Sequence, residues 1–263
     1  KPVPPVAVWY SLAQAAASDP DRQYEQQVVA AFYALKRAHV PVGVVADEDL
    51  RAGLLDEHDV LVVVDADYIP ADLRGAIERF ARRGGKVVVD RATAAELPGA
   101  VRMDADFREF AAVVAEVSRA WHERRMPVSM RLRRDADAEA DVRRQLPAVR
   151  RAIDPLVRRD VEADSPDAFL AVQNAGEARF IFVANEAAVV KHPNEQGRWI
   201  TMQESVPAEV TLTLPLASRR GLFGPSPAAV YDLWTGRRLE LEAGNRLRLR
   251  LPAAGLAVLC VYP

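Results

Sequence analysis

Cysteine is nearly absent: Cys260 is the only one in 263 residues. That excludes an intramolecular disulfide and a cysteine-based zinc site, and it indicates no compartment. Histidine is scarce as well. His39, His58, His122 and His192 fall at an expected helix end, a pre-strand turn, the far end of a long helix and a loop of the second half. No Gly-x-Ser-x-Gly elbow accompanies them, so nucleophilic catalysis has no sequence support. A glycine-rich phosphate loop is missing too: after the first strand, where dinucleotide and P-loop folds place one, stands the bulky "WYSLAQ". A phospho-receiver is set aside because the acidic pair expected after that strand is missing. No apolar run approaches the ~20 residues of a membrane span, and no basic-then-apolar leader opens the chain. A formal net charge of -2 argues against a nucleic-acid or anionic-membrane partner.

What is present is an ordinary globular balance, 50% hydrophobic and 27% charged residues, in a chain long enough for one large or two ordinary domains. The opening Lys1-Pro2-Val3-Pro4-Pro5 reads as an interdomain linker or a processed end.

The first hundred residues alternate strand and helix signals. "VAVWY" is a buried-strand run. Asp19-Pro20 then supplies an N-cap and first-turn proline for a helix to about Ala38, with Val28, Phe32 and Leu35 on one face. "PVGVVA", "VLVVVD" and "KVVVD" are further strands, "VLVVVD" apolar throughout as a strand covered on both faces should be. A short helix is expected over Asp49 to Leu55. Another opens at Pro70, turns Leu73, Ile77 and Phe80 inward and stops at Gly84-Gly85. The pattern predicts a parallel, doubly wound, flavodoxin-like sheet. A long helix from Asp104 to about Arg125 follows, carried by Phe107, Phe110, Val114, Val117 and Trp121.

From Arg131 to Asp160 the chain is dense in Arg and Asp, interrupted by Pro147 and Pro155, with a weak stripe of Leu146, Val149, Ile153 and Leu156. It reads as a solvated connecting helix, with a basic docking helix as the alternative. After Ser165-Pro166 the character is all-β: "AFLAVQN", "ARFIFVAN", "AEVTLTLPL", "AAVYDLW", "RRLELE", "RLRLRLP" and "LAVLCVY", punctuated by turns at Asn174-Ala175-Gly176, Thr235-Gly236 and Gly244-Asn245. Leu247, Leu249 and Leu251 alternate with Arg246, Arg248 and Arg250, one face apolar and one wet. This is expected to be a small antiparallel β-sandwich, with Cys260 in its core. The expected division is residues 1–125 α/β, 126–165 charged connector and 166–263 sandwich.

In an open parallel sheet, ligands bind outside the carboxyl ends of the strands. Those ends carry Trp9-Tyr10-Ser11, Asp47-Glu48-Asp49, Asp65-Ala66-Asp67-Tyr68 and Asp90-Arg91. Carboxylates on one rim can hold a divalent cation or form an acid/base pair for glycosidic bonds; Asp at a strand end is equally a turn or N-cap residue. Trp9, Tyr10, Asp65, Asp67, Asp90 and Arg91 are therefore candidate binding residues, and a metal-dependent hydrolase using Asp47, Asp65, Asp67 and Asp90 is one functional alternative. In the second half, Trp199, Tyr231 and Trp234 offer a sugar-stacking platform, or equally close the sandwich and its turns. Trp199 and Trp234 are the candidates for a carbohydrate-binding module, the other alternative.

The segment "YALKRAHVPVGVVADEDLRAGLLDEHDVLVVVDADYIPADLRGAIERFARRGGKVVVD" resembles the trimerisation domain of bacterial β-galactosidases of glycoside hydrolase family 42 and the wider class I glutamine amidotransferase-like superfamily. The shared features are a helix ending in Y-x-x-L, a V-P-V strand, a D-V-L-V-V strand and a Pro…Leu…Ile…Phe helix stopped by Gly-Gly. The resemblance covers about Val6 to Asp104. In active amidotransferases a nucleophilic Cys sits on an elbow just after a strand of this sheet. Asp90-Arg91-Ala92 stand at the corresponding place here, so the resemblance implies a sheet without that chemistry. "AAVYDLWTGRRLELEAGNRLRLRLPAAGLAVLCVYP" resembles the terminal β-sandwich of many glycoside hydrolases. Their two catalytic Glu residues lie on a preceding TIM barrel that these 263 residues do not contain, and no catalytic residue is carried over.

The resemblance thus implies a non-catalytic accessory or assembly segment of a glycoside-hydrolase-like protein. No cofactor and no metal are expected. The expected partners are an upstream catalytic domain, another copy of the chain, or a carbohydrate.

Overall fold

The computed structural model describes residues 3–18, 23–122, 128–159, 161–191, 202–214, 219–221, 224–226 and 229–262. The chain divides into two compact units: Val3–Arg158 make the body of one, Arg159–Val189 and Glu204–Pro263 that of the other.

The first unit contains β1 (Val6–Tyr10), α1 (Leu12–Ala17), α2 (Tyr24–Arg37), β2 (Val42–Ala46), α3 (Asp47–Ala52), β3 (Val60–Val63), α4 (Ala71–Arg82), β4 (Lys86–Val89), β5 (Val101–Arg102), α5 (Arg108–His122) and α6 (Val128–Ile153). The strands form one parallel sheet in the order β2-β1-β3-β4-β5, consistent with the flavodoxin-like arrangement. Period-two alternation explains why both faces are covered. Val6, Val8, Val60 and Val62 join one core with Val28 and Leu35 of α2, Phe107, and Val149 of α6. Ala7, Trp9, Leu61 and Val63 join the other with Leu50 of α3 and Leu73, Ile77 and Phe80 of α4. Each large apolar side chain buried this way contributes about 1.5–3 kcal/mol.

Three features depart from the sequence reading. A short helix, α1, stands directly after β1, and a two-residue strand, β5, closes the sheet edge. The helix expected from Asp19-Pro20 begins at Tyr24, with Gln23 in the N-cap position; Asp19 and Pro20 themselves lie outside the described residues. The segment expected as a solvated connector forms α6, which runs through Pro147. Its Val142, Leu146, Val149 and Ile153 are buried in the first unit's core. Their spacing of four, three and four residues makes one helical stripe, and burying that stripe outweighs the polarity of the Arg and Asp residues around it.

The strands that follow are β6 (Glu162–Ala163), β7 (Ala168–Ala175), β8 (Ala178–Asn185), β9 (Ala188–Lys191), β10 (Met202–Ser205), β11 (Ala208–Thr213), β12 (Arg219–Gly221), β13 (Gly224–Ser226), β14 (Ala229–Asp232), β15 (Arg238–Leu239), β16 (Arg246–Leu251) and β17 (Leu256–Tyr262), all in the second unit except the parts of β9 and β10 within 190–203. A three-stranded sheet, β16-β11-β6, and a five-stranded one, β15-β14-β17-β8-β7, share one apolar core. This is the two-layer packing the alternating leucines predict: Leu247 and Leu251 are buried in it. Asn185 locks its edge, donating from Nδ2 to the carbonyls of Val206 and Pro252 at 2.8 Å each. Cys260 is corrected by register. Leu259 and Val261 point into the core, so Cys260 faces the other side, paired with Phe180 and Tyr231 and partly exposed.

The α4–β4 turn offers a direct check of the packing. A Cβ built on Gly85 would lie 2.4 Å from the ring of Phe80, which is only 3% exposed, whereas one on Gly75 inside α4 meets nothing closer than Arg79 at 3.5 Å. Gly85→Ala is expected to cost about 1–3 kcal/mol by overpacking, and Gly75→Ala to stabilise by up to about 1 kcal/mol through helix propensity. Chemical denaturation of both variants checks the pair; equal effects would contradict the packing.

Candidate functional site

The carboxyl ends of β1 to β4 form a rim in which almost every polar side chain is engaged with the chain itself. At the end of β1, the Trp9 indole donates to Asp47 Oδ1 at 2.9 Å, while Asp47 Oδ2 accepts from the Ala13 N–H at 3.2 Å and the Ser11 hydroxyl at 3.4 Å. Asp47 is buried. It joins β1, the first turn of α1 and the start of α3. Ser11 caps α1 by accepting from the Gln14 N–H at 3.1 Å, and its own N–H donates to the Tyr24 hydroxyl at 3.0 Å. Burial pushes the Tyr24 phenol well above the ordinary tyrosine range. Tyr10 stacks on Tyr24 with centroids 6.1 Å apart and donates to Glu25 at 2.9 Å; that hydrogen bond, ahead of burial, raises its phenol too.

At β3 and β4 the arrangement is tighter. Asp90 Oδ1 accepts from the Asp65 N–H at 3.0 Å, the Thr93 N–H at 2.9 Å and the Thr93 hydroxyl at 2.6 Å. The first of these bonds anchors Asp65, whose φ of 46° lies in the left-handed region that aspartate enters more readily than most non-glycine residues. Asp65 Oδ2 accepts from the Gln27 amide at 2.8 Å. Gln14 bridges the loop after β3, donating to the Asp65 carbonyl at 3.0 Å and accepting from the Tyr68 N–H at 2.9 Å. Asp90 is fully buried, and its Oδ2 has no hydrogen-bond partner among the described residues. Burial pushes its carboxyl up, against the lowering effect of the Thr93 and Asp65 bonds.

Beyond β4 the side chains turn outward. Arg91 pairs with Asp106 at 3.2 Å and Asp104 at 3.5 Å, and Arg108 with Asp106 at 2.5 Å. Asp106 also accepts the Arg108 N–H at the start of α5. The Arg108 guanidinium, foremost, holds its carboxyl down at about 2. Asp67 is exposed.

The structure therefore brings Trp9, Tyr10, Asp65 and Asp90 to one rim, with Arg91 on its outer side. Among the described residues no group of three or more His, Cys, Asp or Glu is placed to hold a metal ion. Trp234 stands at a tight turn, 69% exposed, its N–H donating to Asp232 at 2.8 Å. Trp199 lies outside the described residues. Sequence reasoning missed Gln14, Gln27 and Thr93, which the rim depends on. The S-x-x-Q spacing of Ser11 and Gln14 is a helix-start signal that points to α1.

No known family profile matches the chain, and no curated protein matches it. Solved structures do. An α-L-fucosidase, isoenzyme 2, from Paenibacillus thiaminolyticus aligns at 12% identity over 99% of this chain and 49% of that one, TM-score 0.59. A GH42 β-galactosidase from G. stearothermophilus aligns at 10% identity over 99% and 40%, TM-score 0.52. An exo-carrageenase GH42 from Bacteroides ovatus aligns at 12% identity over 98% and 29%, TM-score 0.51. At these identities the likeness is one of fold, to glycoside hydrolases, and the chain spans less than half the length of each.

The two titrating carboxyls act on stability in opposite senses. The lowered Asp106 contributes stability that is present above the unfolded value of about 3.9 and is lost as pH falls toward about 2. The raised Asp90 favours the folded state fully below about pH 3.9, and that advantage is lost as pH rises through its folded value. Asp106→Asn is thus expected to flatten the acid limb of the melting-temperature profile, and Asp90→Asn the decline on its higher-pH side. Thermal melts across about pH 2 to 7 check both; profiles parallel to that of the unsubstituted chain would refute the assignment.

Proposed function

We propose that this chain is a non-catalytic accessory and assembly segment of a glycoside-hydrolase-like protein of carbohydrate metabolism. In this reading its first unit is a flavodoxin-like module of the β-galactosidase-trimerisation type and its second a glycoside-hydrolase-type terminal sandwich. The observation that carries the proposal is the filled crevice between β1 and β3. In a sheet of this order the strand sequence reverses there, and ligands sit outside the carboxyl ends at that point. Here Gln14, 1% exposed, spans it from α1 to the Asp65 carbonyl and the Tyr68 N–H. The likeness to part of several longer glycoside hydrolases supports the same reading. A metal-dependent hydrolase has less support, since Asp47 and Asp90 already serve as acceptors for the chain's own N–H and O–H groups.

The assembly half of the proposal rests on the second unit. The outward face of its three-stranded sheet carries Glu209, Thr211 and Thr213 against Arg250, Arg248 and Arg246, as a wetted face should. The corresponding face of the five-stranded sheet carries Phe180, Phe182, Val258, Cys260 and Tyr231 in facing pairs, with Leu256 and Tyr262 half exposed. In this reading the exposed Tyr231, Leu256 and Tyr262 of that face supply a docking surface, for an adjoining catalytic domain or another copy of the chain.

Assays of the purified chain with aryl glycosides and with glutamine are expected to show no turnover above the uncatalysed rate. Sedimentation equilibrium is expected to show species heavier than 29.0 kDa that dissociate when Leu256 and Tyr262 are both changed to Lys. Turnover abolished by one substitution would overturn the non-catalytic reading. Association unaffected by the paired change would remove the sheet face from it.

A further inference from the structure

We propose that the cavity between the β4–β5 loop and the first turns of α4 is a binding site for a small carboxylate with an apolar body. The cavity measures 530 Å³ and opens beside Val89, the last residue of β4, so it lies at the carboxyl end of the sheet, where α/β folds bind ligands. Its volume suits a small molecule. It is separate from the filled β1–β3 crevice and does not depend on the accessory reading.

Two guanidiniums line it. Arg74 donates to the Glu96 carbonyl at 2.6 Å. Arg102 donates to the carbonyls of Asp90 and Thr93 at 3.2 Å each, and of Arg91 at 3.5 Å. Carbonyl oxygens fix a guanidinium in place but leave its charge uncompensated. Arg51, Arg83, Arg91 and Arg108 of the same unit each reach a carboxylate; among the described residues, none reaches Arg74 or Arg102. Two positioned forks facing one cavity, neither in an ion pair among the described residues, are a recognition device for a planar oxyanion.

The rest of the lining narrows the ligand. Val89, Ala95 and Leu97 are 3%, 7% and 8% exposed and supply an apolar floor. That floor favours an anion carrying a hydrophobic body over a bare inorganic one. Glu96 also lines the cavity, so two cations stand against one anion. This balance favours a monoanion over the dianion of a phosphate ester, which the glutamate would repel.

Benzoate is the probe, titrated into the full chain by calorimetry and by thermal shift, with sodium chloride at matched ionic strength and inorganic phosphate as comparisons. Saturable benzoate binding stronger than that of phosphate is expected. Arg74→Gln should weaken it about tenfold or more, the scale of one lost charge-assisted contact, and Glu96→Gln should tighten it. Arg102 also clamps the turn after β4, so Arg102→Gln is informative only if it folds; the Arg74 and Glu96 variants carry the test without it. Benzoate behaving like chloride, or binding unchanged in both variants, would overturn the site. Tighter binding of phosphate would overturn the carboxylate assignment.

Discussion

A loop that crosses the end of a parallel sheet buries backbone N–H groups that no strand can satisfy, and each one left unpaired costs free energy comparable to a lost hydrogen bond. In this protein two buried carboxylates meet that demand. Asp90 accepts from the Asp65 and Thr93 N–H groups, and Asp47 from the Ala13 N–H and the Trp9 indole. Those bonds tie α1 to the start of α3 and fix the turn at Asp65, whose carbonyl Gln14 reaches across the crevice. The same low-dielectric setting that strengthens them also pushes the Asp90 carboxyl up, so the fixing of the rim carries an electrostatic cost.

Acidic strand ends therefore have two readings in sequence. A carboxylate aimed at solvent or substrate and one aimed inward at backbone N–H groups look alike in sequence. Only Asp67, of the four strand-end aspartates considered for a metal, is exposed. The ion pairs that do face outward, Arg91 and Arg108 with Asp106, order the approach to α5 and leave little uncompensated charge. Arg74 and Arg102 differ because their partners are carbonyls.

The strands were legible because a parallel strand covered on both faces must be apolar at every position, as Val6–Tyr10 and Val60–Val63 are. The helix after Pro70 was legible from its 3.6 period and its Gly-Gly stop. The two-residue β5 was not, since a pairing that short leaves no periodicity. The role of α6 was hidden by composition: four apolar residues among many charges decide where the helix packs. The rim depends on Gln14, Gln27 and Thr93, whose importance comes from partners 51, 38 and 27 residues away, and no local pattern encodes such pairings. Cys260 was misplaced by a single step of register, which in a strand reverses the face.

The central claim is that the buried strand-end carboxylates of Asp47, Asp65 and Asp90 serve as acceptors for the chain's own donors. A double-mutant cycle on Trp9→Phe and Asp47→Asn tests it most directly, with stability measured by chemical denaturation. The account predicts a coupling of about 1–2 kcal/mol, since the buried indole and carboxylate are bonded at 2.9 Å. Effects that add to within about 0.3 kcal/mol would contradict it, because Asp47 would then be held in place by something other than the groups it is bonded to.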